Sequence, residues 1–154
     1  YIIEIKNSGE LGMKGVDILY NIIKERGILE DVIFGSFHEE VSHYVDDNYP
    51  DFKRSATIKE VLSFYNAANL NKKNFEAKYV ALQIPYNMPF RLAANLGTAK
   101  VINYAHEHGI AVQYWTVNNE KDLAYLSQMG ADCIMTDYPD RLYKIVSEQS
   151  ENAA

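Results

Sequence analysis

Cysteine, positive charge and long apolar runs are all scarce in this 154-residue sequence. Its one cysteine, Cys133, can neither close an internal disulfide nor build a thiolate metal site, which excludes the small disulfide-stapled secreted classes. Cys133 sits in the apolar run ADCIMTD and reads as a core residue. Lys and Arg number 15 against 21 Asp and Glu, a net charge of −6, so no global basic field exists to hold a nucleic-acid backbone. No nucleic-acid partner is expected, although a local cationic pocket stays open. No stretch approaches the ~18 apolar residues of a membrane span, and no charged-then-apolar leader opens the chain. The expected location is cytoplasmic, or at a membrane through a segment upstream. Neither GxGxxG nor GxxxxGK[ST] follows any strand-like run, which removes the usual dinucleotide and P-loop readings.

What is present is ample apolar content, 47% hydrophobic with 23% charged, enough for a packed core. It is organised as a repeated unit: a short apolar β-branched run, a polar turn, then an amphipathic stretch of helical spacing. The strand-like runs are Tyr1–Lys6, Asp31–Phe37, a weaker Arg54–Ile58, Tyr79–Asn87, Ile110–Asn118 and Ala131–Asp137. Between them, helices are expected from Val16 after the glycine-rich NSGELGMKG, around Glu39 to Asp46, through IKEVLSFYNAANLNKKNF, through LGTAKVINYAHEHG and through NEKDLAYLSQMG. RLYKIVSEQ closes the pattern before a polar tail. Strands that are apolar throughout are buried on both faces, and the intervening helices supply the crossovers that parallel pairing needs. The chain is therefore α/β with a parallel sheet.

Polar or aromatic residues collect at the C-terminal ends of these runs: Glu4 and Lys6, Ser36 and Phe37, Gln83 and Asn87, Trp115 to Asn118, Thr136 and Asp137. A TIM (β/α)8 barrel assembles its site at that end. About six of eight βα units are present, and about 250 residues are usual for the fold, so the length falls short by roughly 100. Because the chain opens at Tyr1 directly in a β run, a segment upstream is expected. Residues 1–147 read as the C-terminal part of a barrel and 148–154 as a polar tail.

Glu4 and Lys6 are two apart on a strand, so their side chains point the same way. A carboxylate beside an ammonium suits a hard divalent cation together with a phosphate; the alternative is a solvated ion pair of little energetic weight. A Schiff-base role for Lys6 is disfavoured, because an adjacent Glu holds the amine protonated. Trp115 can wall a pocket against a carbon skeleton or pack in the core. Ser36 with Phe37 can supply a hydroxyl and an apolar wall, or simply end a strand before a helix; no GxSxG elbow marks the serine as a nucleophile. His38 can reach the barrel mouth. His106 and His108, two apart on a helix, do not share a face and read as a solvated helix terminus. Asp137 is expected either to cap the final helix, the default role, or to line the site.

The ordered set IEIK, VIFGSF and YWTVNNEKDLAYLSQMGADCIMTDYPDRL resembles the C-terminal portion of the glycerophosphodiester phosphodiesterase family. The resemblance runs over essentially the whole chain, weakest between Lys53 and Asn95. It implies a TIM barrel that hydrolyses small-molecule glycerophosphodiesters to glycerol 3-phosphate and an alcohol with a divalent cation, calcium or magnesium. By that resemblance Glu4 matches a metal ligand and Lys6 the lysine facing the phosphate, while Phe37 and Trp115 line the glycerol side. Gln83 joins the substrate-binding set from its strand position alone. The family's N-terminal His-Arg pair, Glu-x-Asp pair and later His-Asp do not occur in this chain, so no catalytic acid or base is assigned and negligible hydrolysis is expected from these residues alone. Two alternatives accompany this reading: a non-catalytic fragment that forms homo-oligomers or docks through exposed sheet edges, and a related barrel acting on phospholipid or phosphoinositide.

Overall fold

The computed structural model describes residues 1–86 and 96–152. In chain order the elements are β1 (Ile2–Glu4), α1 (Gly9–Glu25), a 3-10 turn (Leu29–Asp31), β2 (Ile33–Gly35), α2 (Glu39–Asn48) and α3 (Ile58–Asn69). They continue with β3 (Ala81–Pro85), α4 (Ala99–Glu107), β4 (Ala111–Trp115), α5 (Glu120–Gln128), β5 (Cys133–Ile134) and α6 (Pro139–Asn152). β1 pairs in parallel with β2 in the register Ile2 to Ile33, Ile3 to Phe34 and Glu4 to Gly35. A second sheet runs in the order β3, β4, β5, with β4 and β5 parallel. This alternation of strand and helix with parallel pairing is that of part of a TIM barrel.

The weaker strand expected at Arg54–Ile58 is only two residues long. Arg54 bridges to Phe34 and Ser55 to Ala81, both parallel. It stops there because Thr57 starts α3: Glu60 N–H donates to Thr57 Oγ1 at 3.3 Å and Thr57 N–H donates to Glu60 Oε2 at 2.8 Å. That reciprocal pair is a capping box, and it claims the residues a longer strand would use. The glycine-rich NSGELGMKG is not a loop either, since α1 begins at Gly9. Gly12 lies against β1's exit so closely that a Cβ would stand 2.3 Å from Asn7 O and 2.7 Å from Val41 Cγ2. Its glycine serves helix packing rather than a turn. The final helix begins two residues before Arg141 and runs to Asn152, so most of the segment read as a polar tail is helical. Asn87 lies outside the described residues.

Contacts divide the chain into two units, Tyr1–Phe64 with Asn74–Leu82, and Tyr65–Lys73 with Gln83–Ala154. In the first, Val16, Ile23, Val32, Phe34 and Val41 are at most 2% exposed and pack with Phe52 beneath tilted aromatic pairs of Tyr20 with Tyr49 and Phe34 with Phe52. Burying each such aliphatic side chain is worth about 1.5–3 kcal/mol, which is what drives α1 and α2 onto β1 and β2. In the second, the core includes Ile84, Ile102, Val112, Tyr114, Leu123 and Leu126. Among the described residues, no helix is long and apolar enough to cross a membrane.

Behind the two-residue strand lies the most polar part of the interior. Arg54 is 2% exposed and carries two carboxylates. Nε and Nη2 donate to Asp46 of α2 at 2.6 and 2.8 Å, and Nη1 and Nη2 donate to Glu60 of α3 at 2.7 and 2.9 Å. Burial opposes the guanidinium's charge, but the hydrogen bonds to Asp46 and Glu60 outweigh it and raise its pKa. Glu60 shows the mirror case: burial works against ionisation, while Arg54 and the Thr57 amide more than compensate and hold its pKa below the usual value.

Candidate functional site

In the first unit the strand ends bring Glu4 and Lys6 together, as their period of two requires: Lys6 Nζ stands 3.8 Å from Glu4 Oε2. The lysine side chain is 81% exposed and the carboxylate 34%, so the pair adds little stability and its charges face an open space. Both residues line an open groove of about 450 Å³ whose other wall is the apolar face of α1, including Ile18 and Ile22. Phe37 follows β2 and is 51% exposed.

The end of β1 is held by side chains from the β2–α2 junction. The backbone ladder finishes with Ile5 N–H donating to Gly35 O at 3.0 Å. Ser36 Oγ then donates to Ile5 O at 2.9 Å and accepts from His38 N–H at 3.2 Å, and the His38 ring meets Lys6 O through Nε2 at 3.1 Å. Ser36 is thus a strand-end hydroxyl that locks a turn, as the absence of an elbow motif implied. His38 occupies the N-cap position of α2 without a side-chain cap bond.

In the second unit, Gln83 on β3 donates Nε2–H to Gln113 Oε1 on β4 at 2.9 Å, and Gln113 is 6% exposed. Gln113 lies two residues before Trp115, on the same strand face, and that period of two was the signal by which it could have been found. Trp115 closes β4 half-buried, with its carbonyl accepting Tyr86 N–H at 3.3 Å. Between them on the opposite face, Tyr114 is fully buried and donates to Leu96 O at 2.7 Å; burial pushes its phenol pKa upward.

Asp137 does not cap α6. Its Oδ2 accepts Asn118 Nδ2–H at 2.8 Å, while Asn118 Oδ1 takes the Asp137 N–H at 3.0 Å and the Thr136 hydroxyl at 3.2 Å. One amide therefore clasps the exits of β4 and β5, using three of its four hydrogen-bonding directions on neighbours. His106 likewise is not merely solvated: Nε2 meets Asp132 Oδ2 at 2.9 Å, and the same oxygen accepts Val112 N–H at 2.7 Å. His108 is turned to backbone carbonyls of Tyr104 and Lys73, so the two histidines share no ligand.

Among the described residues there is no group of three or more His, Cys, Asp or Glu arranged to hold a metal ion. Glu4 offers one carboxylate with an ammonium beside it, whereas calcium takes six to eight oxygens and magnesium about six. The described residues alone do not fit a resident cation.

The glycerophosphoryl diester phosphodiesterase family model matches residues 2–141. Over 127 residues the chain is 30% identical to the "Putative glycerophosphodiester phosphodiesterase YhdW" of Bacillus subtilis, a match that covers 77% of this chain and 50% of YhdW. A "Putative glycerophosphoryl diester phosphodiesterase" from Silicibacter pomeroyi has a similar fold, with a TM-score of 0.71 at 16% identity over 97% of this chain and 50% of that one. An Oleispira antarctica phosphodiesterase, solved in complex with the product sn-glycerol-3-phosphate, aligns with a TM-score of 0.66 at 15% identity over 94% of this chain and 53% of its own. The chain spans about half the length of these relatives. With a family model matched from the first strand to the start of α6, the chain belongs to the glycerophosphoryl diester phosphodiesterase family.

Proposed function

We propose that this chain contributes the phosphate- and glycerol-binding part of a phosphodiesterase that hydrolyses glycerophosphodiesters to glycerol 3-phosphate and an alcohol. The observation that carries the reading is the juxtaposition of Glu4 and Lys6 at the C-terminal end of a parallel strand, both facing an open groove. Lys6 meets an anionic phosphoryl oxygen as a point charge. Glu4 could give one oxygen ligand to a divalent cation, calcium or magnesium, which when bound would supply charge stabilisation at a phosphoryl group. Phe37, exposed just beyond β2, packs against the glycerol carbons; Trp115, and Gln83 with its amide held by Gln113, stay candidates for substrate contact on their own strands. Water adds to phosphorus, the P–O bond to the alcohol breaks, and the leaving oxygen takes a proton. A proton acceptor and donor for that step are not assigned to this chain. The product bound in the Oleispira antarctica relative supports the choice of substrate.

The test is a titration with glycerol 3-phosphate followed by 31P NMR, together with turnover of glycerophosphocholine against lysophospholipid in calcium or magnesium. Saturable binding that Lys6→Ala weakens about tenfold is expected, as is negligible turnover by the chain alone. Binding indifferent to Lys6→Ala would sink the assignment, and turnover confined to lysophospholipid would move the substrate to a lipid.

A second reading is favoured by a different observation. Leu11, Ile18 and Ile22 of α1 are 64%, 62% and 44% exposed, next to the open edge of β1. Exposed edge strands flanked by apolar surface promote association. In this reading the chain is a non-catalytic module that self-associates through that face. Light scattering at micromolar concentration separates the two, since a clean monomer rejects the module.

A further inference from the structure

The backbone ladder of β1 ends before the residue whose position matters most. Its last rung is Ile5 N–H to Gly35 O, so nothing in the sheet fixes Lys6. What fixes it instead is the first turn of α2. His38 stands at the N-cap, where Ser, Thr, Asp or Asn would normally accept a helix N–H and add about 1 kcal/mol. His38 makes no such bond; its ring turns to the Lys6 carbonyl at 3.1 Å. Two residues on, Glu40 Oε1 accepts Gly9 N–H at 3.3 Å, and Ser36 Oγ bonds the Ile5 carbonyl on the other side. The segment from Ile5 to Gly9 is therefore strapped at three points to the β2–α2 junction, with His38 on the lysine itself.

We propose that His38 is a positioning residue for Lys6: its ring fixes the lysine backbone so that the ammonium searches a smaller volume and is presented to the phosphoryl oxygens. This rests on the reading of Lys6 given above. The chemistry of the contact is definite. A carbonyl only accepts, so the bonded Nε2 carries the hydrogen, and in the neutral ring Nδ1 is the unprotonated nitrogen. Protonation of Nδ1 leaves the Nε2–H bond in place, so the strap holds in both charge states. The need for it follows from the side chain's 81% exposure: a long, flexible, exposed lysine loses more entropy on meeting an anion than one whose root is already fixed.

Two measurements test this. The first needs no ligand: 15N-resolved NMR of the imidazole at pH 8 in the unsubstituted chain is expected to show Nε2 protonated and Nδ1 bare, and the opposite tautomer would overturn the proposal outright. The second is glycerol 3-phosphate binding by 31P NMR in His38→Ala, His38→Gln, Lys6→Ala and the His38→Ala/Lys6→Ala pair, with helical circular dichroism checked in each. His38→Ala is expected to weaken binding about two- to tenfold, the loss for one side chain left free. His38→Gln, which keeps a donor at similar reach, is expected to recover most of it, and His38→Ala is expected to add nothing once Lys6 is alanine. A merely structural role would give no rescue and an additive double loss, and either result overturns the proposal. If Lys6→Ala alone leaves binding unchanged, the reading of Lys6 fails and this proposal falls with it. If Lys6→Ala weakens binding while His38→Ala does not, only the positioning role fails.

Discussion

Arg54 grips Asp46 with two parallel hydrogen bonds, Nε to Oδ1 and Nη2 to Oδ2, across the gap between a two-residue strand and α2. The fork matches the carboxylate plane, and the remaining donors reach Glu60 and the Ser55 carbonyl. This is the arrangement in which an arginine is not replaceable by lysine. Arg54→Met would leave two partly buried carboxylates facing each other. We expect it to lower unfolding free energy by about 3–5 kcal/mol, read from the urea midpoint, with Arg54→Lys recovering less than half. A loss below about 1 kcal/mol would show that the cluster contributes little.

Glu60 carries a pH signature. Burial alone would raise its pKa, but the bonds from Arg54 and Thr57 depress it. A carboxylate depressed in the folded state contributes stability that is fully present above its unfolded value, about 4.3, and lost as pH falls through the folded pKa. Urea midpoints should therefore fall on acidification from pH 5 toward pH 3. In Glu60→Gln that slope should flatten, and an unchanged slope would assign the acid sensitivity elsewhere.

Asp17 serves two phenols at once, with Tyr44 and Tyr49 both donating to its Oδ1 at 2.8 and 2.7 Å. Losing the Tyr49 proton would set two anions together, so the bond to Asp17, helped by burial, pushes its pKa up to about 12. Stability from this bond is complete below the unfolded tyrosine value near 10 and disappears as pH rises through about 12. Ultraviolet titration of tyrosinate should show a late-ionising component that moves toward 10 in Asp17→Ala. Superimposable titrations would remove Asp17 as the cause.

Gly12→Ala sets two effects against each other. Alanine favours the helix interior by about 0.8–1.0 kcal/mol over glycine. Its Cβ would fall 2.3 Å from Asn7 O, a backbone atom, and 2.7 Å from Val41 Cγ2. Overpacking of that kind costs about 1–3 kcal/mol, so the net effect should be destabilising and visible as a lower melting temperature. A raised melting temperature would mean that α1 shifts away from β1 at no cost.

Legibility followed period. The two-residue repeat of β strands put Glu4 beside Lys6, and the same repeat would have exposed Gln113 behind Trp115. Glycine spacing misled, because NSGELGMKG carries the composition of a turn while Gly12 serves close helix approach. Thr57-x-x-Glu60 was written plainly as a capping box, yet the apolar neighbours Ala56 and Ile58 drew Thr57 into a strand. Arg54, Asp46 and Glu60 obey no period: they are eight and six residues apart on three different elements, and only the fold brings them together. His38 was legible as a residue near the strand ends, while its bond to a main-chain carbonyl has no residue-type signature at the receiving end.

The junction at Arg54 and Ser55 has a bearing on how this sequence can change. Along the described strands the pairing itself is made by peptide groups, which almost any substitution preserves. Here the strand is two residues long, and the lattice of charges behind it depends on three particular side chains, reached by separate codons. Drift at any one of them leaves the others as a burden, so the trio is expected to be inherited or replaced together. The sheet at this point is carried by backbone bonds, Ser55 N–H to Phe34 O at 2.8 Å and Val80 N–H to Arg54 O at 3.0 Å, while the support behind it is a matter of coordinated substitution.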